Sequence, residues 1–310
     1  MTTPIIQQIK QQSQPLANAS MNGAIPHFWI TDWLLYVIKK PSVFLMTNDD
    51  YQLTKAEYEQ FNAGVTKMQK GIPLAYLTGH QEFWSLDFKV NEHTLIPRPD
   101  TEVLVEQVLN WINIQSNTEA TAGQRDGANK RLLDLGTGSG CIAISLAHEL
   151  SPKNNNVDKD NQTKWQVVAV DVSAEALKVA RHNAVINKIN NIEFIQSSWY
   201  SELSTHSEKL FDVMVSNPPY IDEADVHLQH LQAEPVSALS APNYGLADIE
   251  HIVQHAPRYL RIDGLLAVEH GFDQGAAVRQ LFLDSSFDAV QTIQDFGGND
   301  RVTLGQIKAL

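Results

Sequence analysis

Cysteine occurs once in 310 residues, as Cys141. That excludes an intramolecular disulfide framework and a cysteine-rich zinc site, and a reducing cytoplasm is the expected setting. Long apolar runs are also missing. The longest in the N-terminal third, residues 33–38, falls far short of the roughly 20 residues that a membrane helix needs, so no span is expected. Residues 1–14 are polar and Gln-rich, without the charged and apolar regions of a secretory leader. Basic charge is scarce: 23 Lys and Arg stand against 36 Asp and Glu, a net charge of −13. That is the wrong sign for a protein held to nucleic acid by counterion release, and no direct nucleic-acid contact is expected. His227 and His230 are three apart, and His251 and His255 four apart. The second pair lacks the Glu of an H-E-x-x-H site and no third ligand accompanies either, so no metal is expected.

What is present is a chain long enough for about two domains at roughly 150 residues each, with 43% hydrophobic residues to build their cores. Residues 115–129 and 152–163 lack apolar periodicity and read as surface excursions. From residue 131 onward, short apolar runs alternate with helical patterns. Strands are expected at 131–135, 166–170, 192–195, 211–216 and 265–269, and helices at 141–150 and 173–187, the latter capped by Ser173. Repeated strand-helix-strand argues for a parallel sheet wrapped by helices. Residues 289–295 and 302–307, joined by Gly297-Gly298-Asn299-Asp300, add an antiparallel hairpin at the end. The first ninety residues differ: Trp29, Trp33, Leu34 and Val37, then residues 51–68, have helical spacing, and 82–90 alternate as a strand or hairpin. The division expected is a helical domain over 1–75, a hairpin and linker over 76–97, and the sheet domain over 98–310.

Three motifs carry chemistry. Gly136-Thr137-Gly138-Ser139-Gly140 follows the first strand of the sheet domain and runs into an apolar helix. Glycine permits the positive φ and close backbone approach needed where a ligand meets a strand-to-helix turn. No Lys-Ser or Lys-Thr follows, which counts against a phosphate-binding P-loop and favours a nucleoside-type ligand over a merely tight turn. Asp171 closes the second strand, where an acidic residue can accept hydrogen bonds from both hydroxyls of a ribose. The alternative reading makes it a helix-capping residue before Ser173. Asn217-Pro218-Pro219-Tyr220 follows the fourth strand. Its prolines fix two φ angles and remove two donors, leaving a stiff loop of acceptors. The Asn217 side-chain oxygen and the Pro218 carbonyl can receive both hydrogens of a planar –NH₂ group while Tyr220 packs against its face. Such a loop suits methyl transfer to an amide or an exocyclic aromatic amine, where positive charge develops on nitrogen.

Together these motifs resemble the class I S-adenosylmethionine-dependent methyltransferases that act on nitrogen. Nucleic-acid adenine methyltransferases, ribosomal-protein glutamine methyltransferases and release-factor glutamine methyltransferases all share the tetrapeptide. The run Leu95-Ile96-Pro97-Arg98-Pro99-Asp100-Thr101-Glu102, preceded by Pro73 to Gly79 and by Glu82-Phe83-Trp84, is similar to the third of these, the peptide chain release factor glutamine methyltransferases of the HemK/PrmC type. The resemblance extends through Ser198-Trp199-Tyr200, Glu234-Pro235 and Glu269-His270-Gly271 to the end of the chain. One departure is Gln232-Ala233, where the family has Arg-Phe.

The resemblance implies a Rossmann-like α/β fold, a seven-stranded sheet that is parallel except for its C-terminal antiparallel hairpin, plus a small helical N-terminal domain for substrate docking. It implies cofactor contacts at Gly136, Thr137, Gly138, Ser139, Gly140, Asp171, Trp199 and Asn217, with Trp199 near the adenine. The substrate glutamine would contact Asn217, Pro218, Pro219 and Tyr220, of which Asn217, Pro218 and Tyr220 are the expected catalytic residues. The cofactor would be S-adenosylmethionine, leaving as S-adenosylhomocysteine. The partner would be a class I peptide chain release factor, methylated on the glutamine of its Gly-Gly-Gln loop, and the enzyme a cytoplasmic monomer. Three alternatives remain at this point, a ribosomal-protein glutamine methyltransferase, a nucleic-acid adenine methyltransferase and a cofactor-binding regulatory or assembly protein without activity. Arg98 and Asp100 are expected to pair with each other or with the partner. Glu102 is expected to open a helix, and Cys141 to be a small packing residue. Glu269 has no assigned role.

Overall fold

The computed structural model describes residues 3–17, 25–121, 129–151 and 164–308. The expected excursion at 152–163 lies outside them. They fall into two compact units, Met1–His80 with Val226–Ala233, and Gln81–Asp225 with Glu234–Leu310. No helix among the described residues is long and apolar enough to cross a membrane.

The first unit is helical, with α1 (Ile6–Ala17), α2 (His27–Ile38), α3 (Phe44–Thr47), α4 (Lys55–Gln69) and α5 (Leu74–Thr78). Its core gathers Ile6, Ile30, Trp33, Leu34, Val37, Phe61, Val65 and Met68. The pattern over 51–68 is helical only from Lys55. Thr54 and Glu57 form a reciprocal capping box that sets the start, and the Tyr51 hydroxyl, still outside the helix, donates to Glu57 at 3.0 Å. Trp33 donates its indole N–H to the Phe61 carbonyl at 3.0 Å. A Cβ at Gly64 would stand 2.1 Å from that indole, so this helical glycine makes room for the tryptophan.

The second unit opens with the hairpin β1 (His80–Phe83) and β2 (Leu86–Lys89), then α6 (Glu102–Thr121), β3 (Lys130–Leu135), α7 (Cys141–Glu149), β4 (Trp165–Asp171), α8 (Ala174–Ile186), β5 (Ile192–Gln196) and β6 (Phe211–Ser216). A short parallel pair, β7 (Ile221–Asp222) and β8 (Ser240–Ala241), precedes α9 (Ala247–His255), β9 (Leu260–Glu269), α10 (Gly275–Asp284), β10 (Phe287–Gln294) and β11 (Asp300–Ile307). Of the excursion expected over 115–129, residues 122–128 lie outside the described residues and 115–121 are not an excursion. Residues 115–121 extend α6 because nothing before Gly123 breaks a helix that polar residues can continue.

The large sheet has the order β10-β11-β9-β6-β3-β4-β5. It is parallel from β9 to β5, and β11 is antiparallel to both neighbours, so the seven-stranded sheet with its terminal hairpin is present as expected. Alternate residues bury opposite faces. Leu132, Val167, Ala169, Val213, Leu265 and Val302 meet α6 and α7 on one side. Leu133, Val168, Val170, Met214, Leu266 and Val268 meet α9 and α10 on the other. Both faces are therefore dry, which is why these strands read as continuous apolar runs.

The chain winds outward from β3 to β5 and then crosses back to β6, placing the switch point between β3 and β6. Crevices at the carboxyl ends of strands flanking such a point hold ligands. Register makes those ends flush: Leu135 pairs with Val170 and Ser216, Asp171 with Gln196, and Ser216 with Val268. Gly136, Asp171, Asn217 and Glu269 thus stand in one row.

Candidate active site

The β3 side of the row is set by backbone. Gly136 and Thr137 both donate to the Val170 carbonyl at 2.9 Å, which bends the chain off β3 towards β4. Gly136 and Gly138 have φ of +74° and +54°, a region that favours glycine. A Cβ on Gly138 would meet nothing within 4 Å, whereas one on Gly136 would press on the Trp199 ring at 3.3 Å. Asp171 braces this turn: its Oδ2 accepts from the Gly138 N–H and its Oδ1 from the Ser173 N–H, both at 2.8 Å. The helix cap itself is Ser173, whose hydroxyl accepts from Ala176. Burial raises the Asp171 carboxyl above the ordinary range against these two donors. Each of its oxygens has taken one N–H, so each retains a lone pair for a further donor.

Beneath the loop lies Asp134, fully buried. It accepts the Thr137 hydroxyl at 2.6 Å, has one unpartnered oxygen, Oδ1, and is pushed up to about 7 chiefly by burial. Asn183 of α8 donates to the Ser139 carbonyl at 2.8 Å and exchanges hydrogen bonds with the backbone of Lys89, tying glycine loop, helix and hairpin together.

The β6 side is set by side chains. Ser216 donates to the Leu135 carbonyl at 2.7 Å, locking the two strand ends. Asn217 donates from Nδ2 to the Thr101 hydroxyl oxygen at 3.2 Å, so its acceptor atom Oδ1 is left for the cavity. The Tyr220 hydroxyl donates to Glu269 Oε1 at 3.2 Å. The Tyr220 carbonyl accepts from Gln274 Nε2 at 2.9 Å. Gly245, at φ +78°, lies so close that a Cβ there would stand 2.0 Å from that carbonyl.

Between the two sides is a cavity of about 360 Å³ lined by Gly136 to Ser139, Asp171, Trp199, Thr101, Asn217 and Pro219. Gly140, Pro218 and Tyr220 do not line it. At Gly140 a Cβ would meet Ile144 at 2.9 Å and Ala180 at 3.1 Å, so this glycine serves helix packing. Pro218 is buried in the loop and Tyr220 is turned toward Glu269. Trp199 has φ +49°, and Asp248, a further carboxylate at the wall, is raised by burial while Trp199 and His251 favour its charged form.

Neither Arg98 nor Asp100 pairs with the other. Arg98 forms a short ion pair with Glu234, and Asp100 pairs with Arg301 at 3.4 Å. Glu234 is almost fully buried and also accepts from the Ile96 N–H at 3.0 Å, so it clamps the Ile96-Pro97-Arg98 run from a position 136 residues away. Glu102 opens α6 and accepts from the Trp84 N–H at 2.8 Å. Cys141 packs against the core and burial pushes its thiol up to about 12, the opposite of activation by a helix N-terminus. The site residues that sequence reasoning missed are Thr101, Glu234, Gln274 and Arg301, all remote along the chain from the motif each supports.

A nucleoside-bearing cofactor fits this chemistry. The backbone of Gly138 is bare toward open space, the Asp171 oxygens keep acceptor capacity, and the Trp199 ring flanks Gly136. The volume lies in the usual range of small-molecule sites.

A family profile described as a methyltransferase domain matches residues 126–295, and one described as the PrmC N-terminal domain matches residues 30–79. The release factor glutamine methyltransferase of Shewanella oneidensis is 40% identical over 275 residues, covering 88% of this chain and 86% of that protein. The protein of the same name from Vibrio cholerae is 44% identical over 277 residues, with 89% and 87% covered. That from Escherichia coli is 41% identical over 275 residues, with 88% and 89% covered.

Proposed function

The chain belongs to the release factor glutamine methyltransferases, and on that premise we propose that it methylates the side-chain amide nitrogen of the glutamine in the Gly-Gly-Gln loop of class I peptide chain release factors. The observation that carries this reading is the orientation of Asn217: its Nδ2 is committed to Thr101, and its Oδ1 is left for a cavity that the glycine loop and Asp171 also line. Gly136 to Ser139, Asp171 and Trp199 would hold S-adenosylmethionine, which when bound supplies an electrophilic methyl group.

The remaining work falls to residues of this chain. An amide nitrogen is a poor nucleophile because its lone pair is delocalised, and it acquires positive charge as the new N–C bond forms. Asn217 Oδ1 and the Pro218 carbonyl accept the amide hydrogens, hold the nitrogen toward the cofactor pocket and gain strength as that charge appears. Loss of one amide proton to solvent afterwards restores neutrality, so no base is needed before the transfer. Pro219 and the half-buried Tyr220 stiffen the loop and keep water from its acceptors. We assign docking of the release factor to the helical N-terminal residues, and take the enzyme to act as a cytoplasmic monomer on protein rather than nucleic acid, as its charge of −13 supports.

Intact-mass analysis tests the reading: an unmodified release factor incubated with this protein and S-adenosylmethionine should gain one methyl group, localised by fragmentation to the Gly-Gly-Gln glutamine. No mass gain with cofactor binding intact would move the substrate to a ribosomal protein or a nucleic-acid adenine.

A further inference from the structure

Gln274, just before α10, is buried, and its side-chain amide is engaged at every polar position. Oε1 accepts from the Gly271 N–H at 2.8 Å, and Nε2 donates to the Tyr220 and Tyr244 carbonyls, both at 2.9 Å. One N–H and two carbonyls admit a single orientation of an amide, because the flipped form would set its oxygen against both carbonyls. The side chain therefore joins three segments: the chain leaving β9, the Asn-Pro-Pro-Tyr loop and the turn before α9.

That turn is wound against the preference of its residues. Asn243, Tyr244 and Gly245 follow one another at φ +56°, +56° and +78°, a conformation that residues other than glycine adopt at a cost and that persists where the surroundings hold it. The bond from Gln274 to the Tyr244 carbonyl holds it. The result is the close approach of Gly245 to the Tyr220 carbonyl, where a Cβ would stand 2.0 Å from the oxygen and 2.9 Å from Gln274 Nε2. One carbonyl is thus bonded by Gln274 and backed by Gly245.

The loop that ends at this carbonyl has few other means of being aimed. Pro218 and Pro219 have fixed φ and no N–H, and Pro219 also restricts the residue before it, so the segment is stiff and moves about its ends. One end is fixed by Ser216 on the Leu135 carbonyl and by Asn217 on Thr101. At the other, Glu269 holds the Tyr220 hydroxyl and the Leu239 carbonyl holds the Ile221 N–H, which leaves the Tyr220 carbonyl to Gln274. We propose that Gln274 is a positioning residue for methyl transfer: by pinning the Tyr220 carbonyl against Gly245 it fixes the second end of the stiff loop, and so aims Asn217 Oδ1 and the Pro218 carbonyl at the substrate nitrogen. This inference rests on the reading that those two acceptors receive the substrate amide.

Steady-state kinetics on a release factor, with the full-length protein and its variants, provide the first arm. Gln274→Met keeps the length and packing of the side chain and deletes all three bonds. It should lower kcat by about 10- to 100-fold while KM and cofactor Kd stay within about threefold of the wild type. Gln274→Glu keeps the shape but sets an oxygen where two carbonyls need donors. Burial should hold that carboxyl above the ordinary range, with Asp273 beside Gly271 and Asp300 beside Gly275 adding to the rise and Arg279 on Asp300 opposing it. At pH 9 its kcat, taken as a ratio to the wild type at the same pH, should be as low as that of Gln274→Met. By pH 6 the ratio should rise about threefold or more, as the protonated acid donates one bond back. Wild-type kcat in Gln274→Met, or a ratio in Gln274→Glu that does not change with pH, would overturn the proposal. If Gln274→Met does not fold, the acid recovery of Gln274→Glu decides alone.

The second arm needs no substrate. In crystal structures of the wild type and Gln274→Met, or Gln274→Glu at pH 9, the Tyr220 carbonyl should be displaced by about 1 Å or more. A carbonyl that stays within about 0.5 Å of its wild-type position sinks the inference even if methylation is observed. A displaced carbonyl in a protein that methylates no release factor sinks the functional reading and leaves Gln274 as the latch of this loop.

Discussion

The two rims of the cavity are built on opposite plans. On the β3 side, the turn is held mainly by bonds from backbone to backbone or from backbone to the carboxylate at the end of the adjacent strand, Gly136 and Thr137 to Val170 and Gly138 and Ser173 to Asp171, with Thr137 on Asp134 and a single remote side chain, Asn183, added on Ser139. On the β6 side, Asn217, Tyr220 and the neighbouring Arg98 are held by side chains from remote parts of the chain, namely Thr101, Glu269, Gln274 and Glu234. Each rim conceals one fully buried carboxyl with one unpartnered oxygen, Asp134 and Glu269, and burial pushes both up to about 7. Asp134 takes its hydroxyl donor from Thr137, three residues on, and Glu269 takes one from Tyr220, 49 residues before it. A rim that must only fit a ligand can be written in a short motif of backbone geometry. A rim that must aim dipoles at developing charge needs side chains, which topology brings together.

If that division is right, substitutions on the two rims should separate turnover from affinity. The largest effect belongs to Asn217→Ala, which removes the aimed acceptor and should cost on the order of 10²-fold or more in kcat while leaving cofactor affinity nearly intact. Steady-state kinetics together with a calorimetric titration of the cofactor check this, and an unchanged kcat would break the comparison. Asp171→Ala should do the reverse. It removes both the remaining acceptors and the brace on Gly138, and should weaken cofactor binding by about 10- to 100-fold, with kcat at saturation much less affected.

The buried carboxyls permit a comparison by pH. A carboxyl whose folded pKa is raised contributes stability that is fully present below its unfolded pKa of roughly 4 and is lost as pH rises through the folded value. The wild type should therefore lose stability between about pH 4 and pH 8, by up to about 4 kcal/mol per carboxyl. Asp134→Asn should remove one such contribution and Glu269→Gln the other. Urea denaturation at pH 5 and pH 8 measures it. A wild-type difference that neither variant reduces would show that neither carboxyl is responsible.

The same contrast explains what could be read from the chain alone. The strands β3, β4 and β6 were legible because each is a largely apolar run buried on both faces and bounded by turn residues, and the edge strand β5 by its apolar residues Ile192, Phe194 and Ile195. Gly136 to Gly140, Asp171 and the Asn-Pro-Pro-Tyr loop were legible because their chemistry is local: φ, missing donors, a carboxylate at a strand end. Thr101, Glu234, Gln274 and Arg301 were not, since nothing near them in sequence marks the distant partners at the site, Asn217, Arg98, the Tyr220 carbonyl and Asp100. Glu234 clamps Arg98 across 136 positions, and only the crossing of the chain at the sheet edge joins Thr101 to Asn217. Of the two pairings expected for Arg98 and Asp100, the one with each other fails for the same reason. Proximity in sequence suggested a pair, while each finds a better partner from a distant element. Residues 115–121 show the converse limit, because a polar stretch without helix breakers simply continues the helix before it.

The smallest effect is the sharpest probe of the backbone rim. Ser173 contributes twice: its hydroxyl caps α8 by accepting from Ala176 at 3.1 Å, and its N–H holds Asp171 Oδ1 at 2.8 Å. Ser173→Ala deletes the first contribution and keeps the second. Stability should fall by about 1 kcal/mol, the usual worth of a serine cap, while cofactor affinity should change by about threefold or less. Thermal unfolding and the calorimetric titration measure the two quantities on one preparation. An affinity loss as large as that of Asp171→Ala would mean that the cap's side chain, and not the backbone it stands on, shapes the pocket, and the two rims would then share one plan.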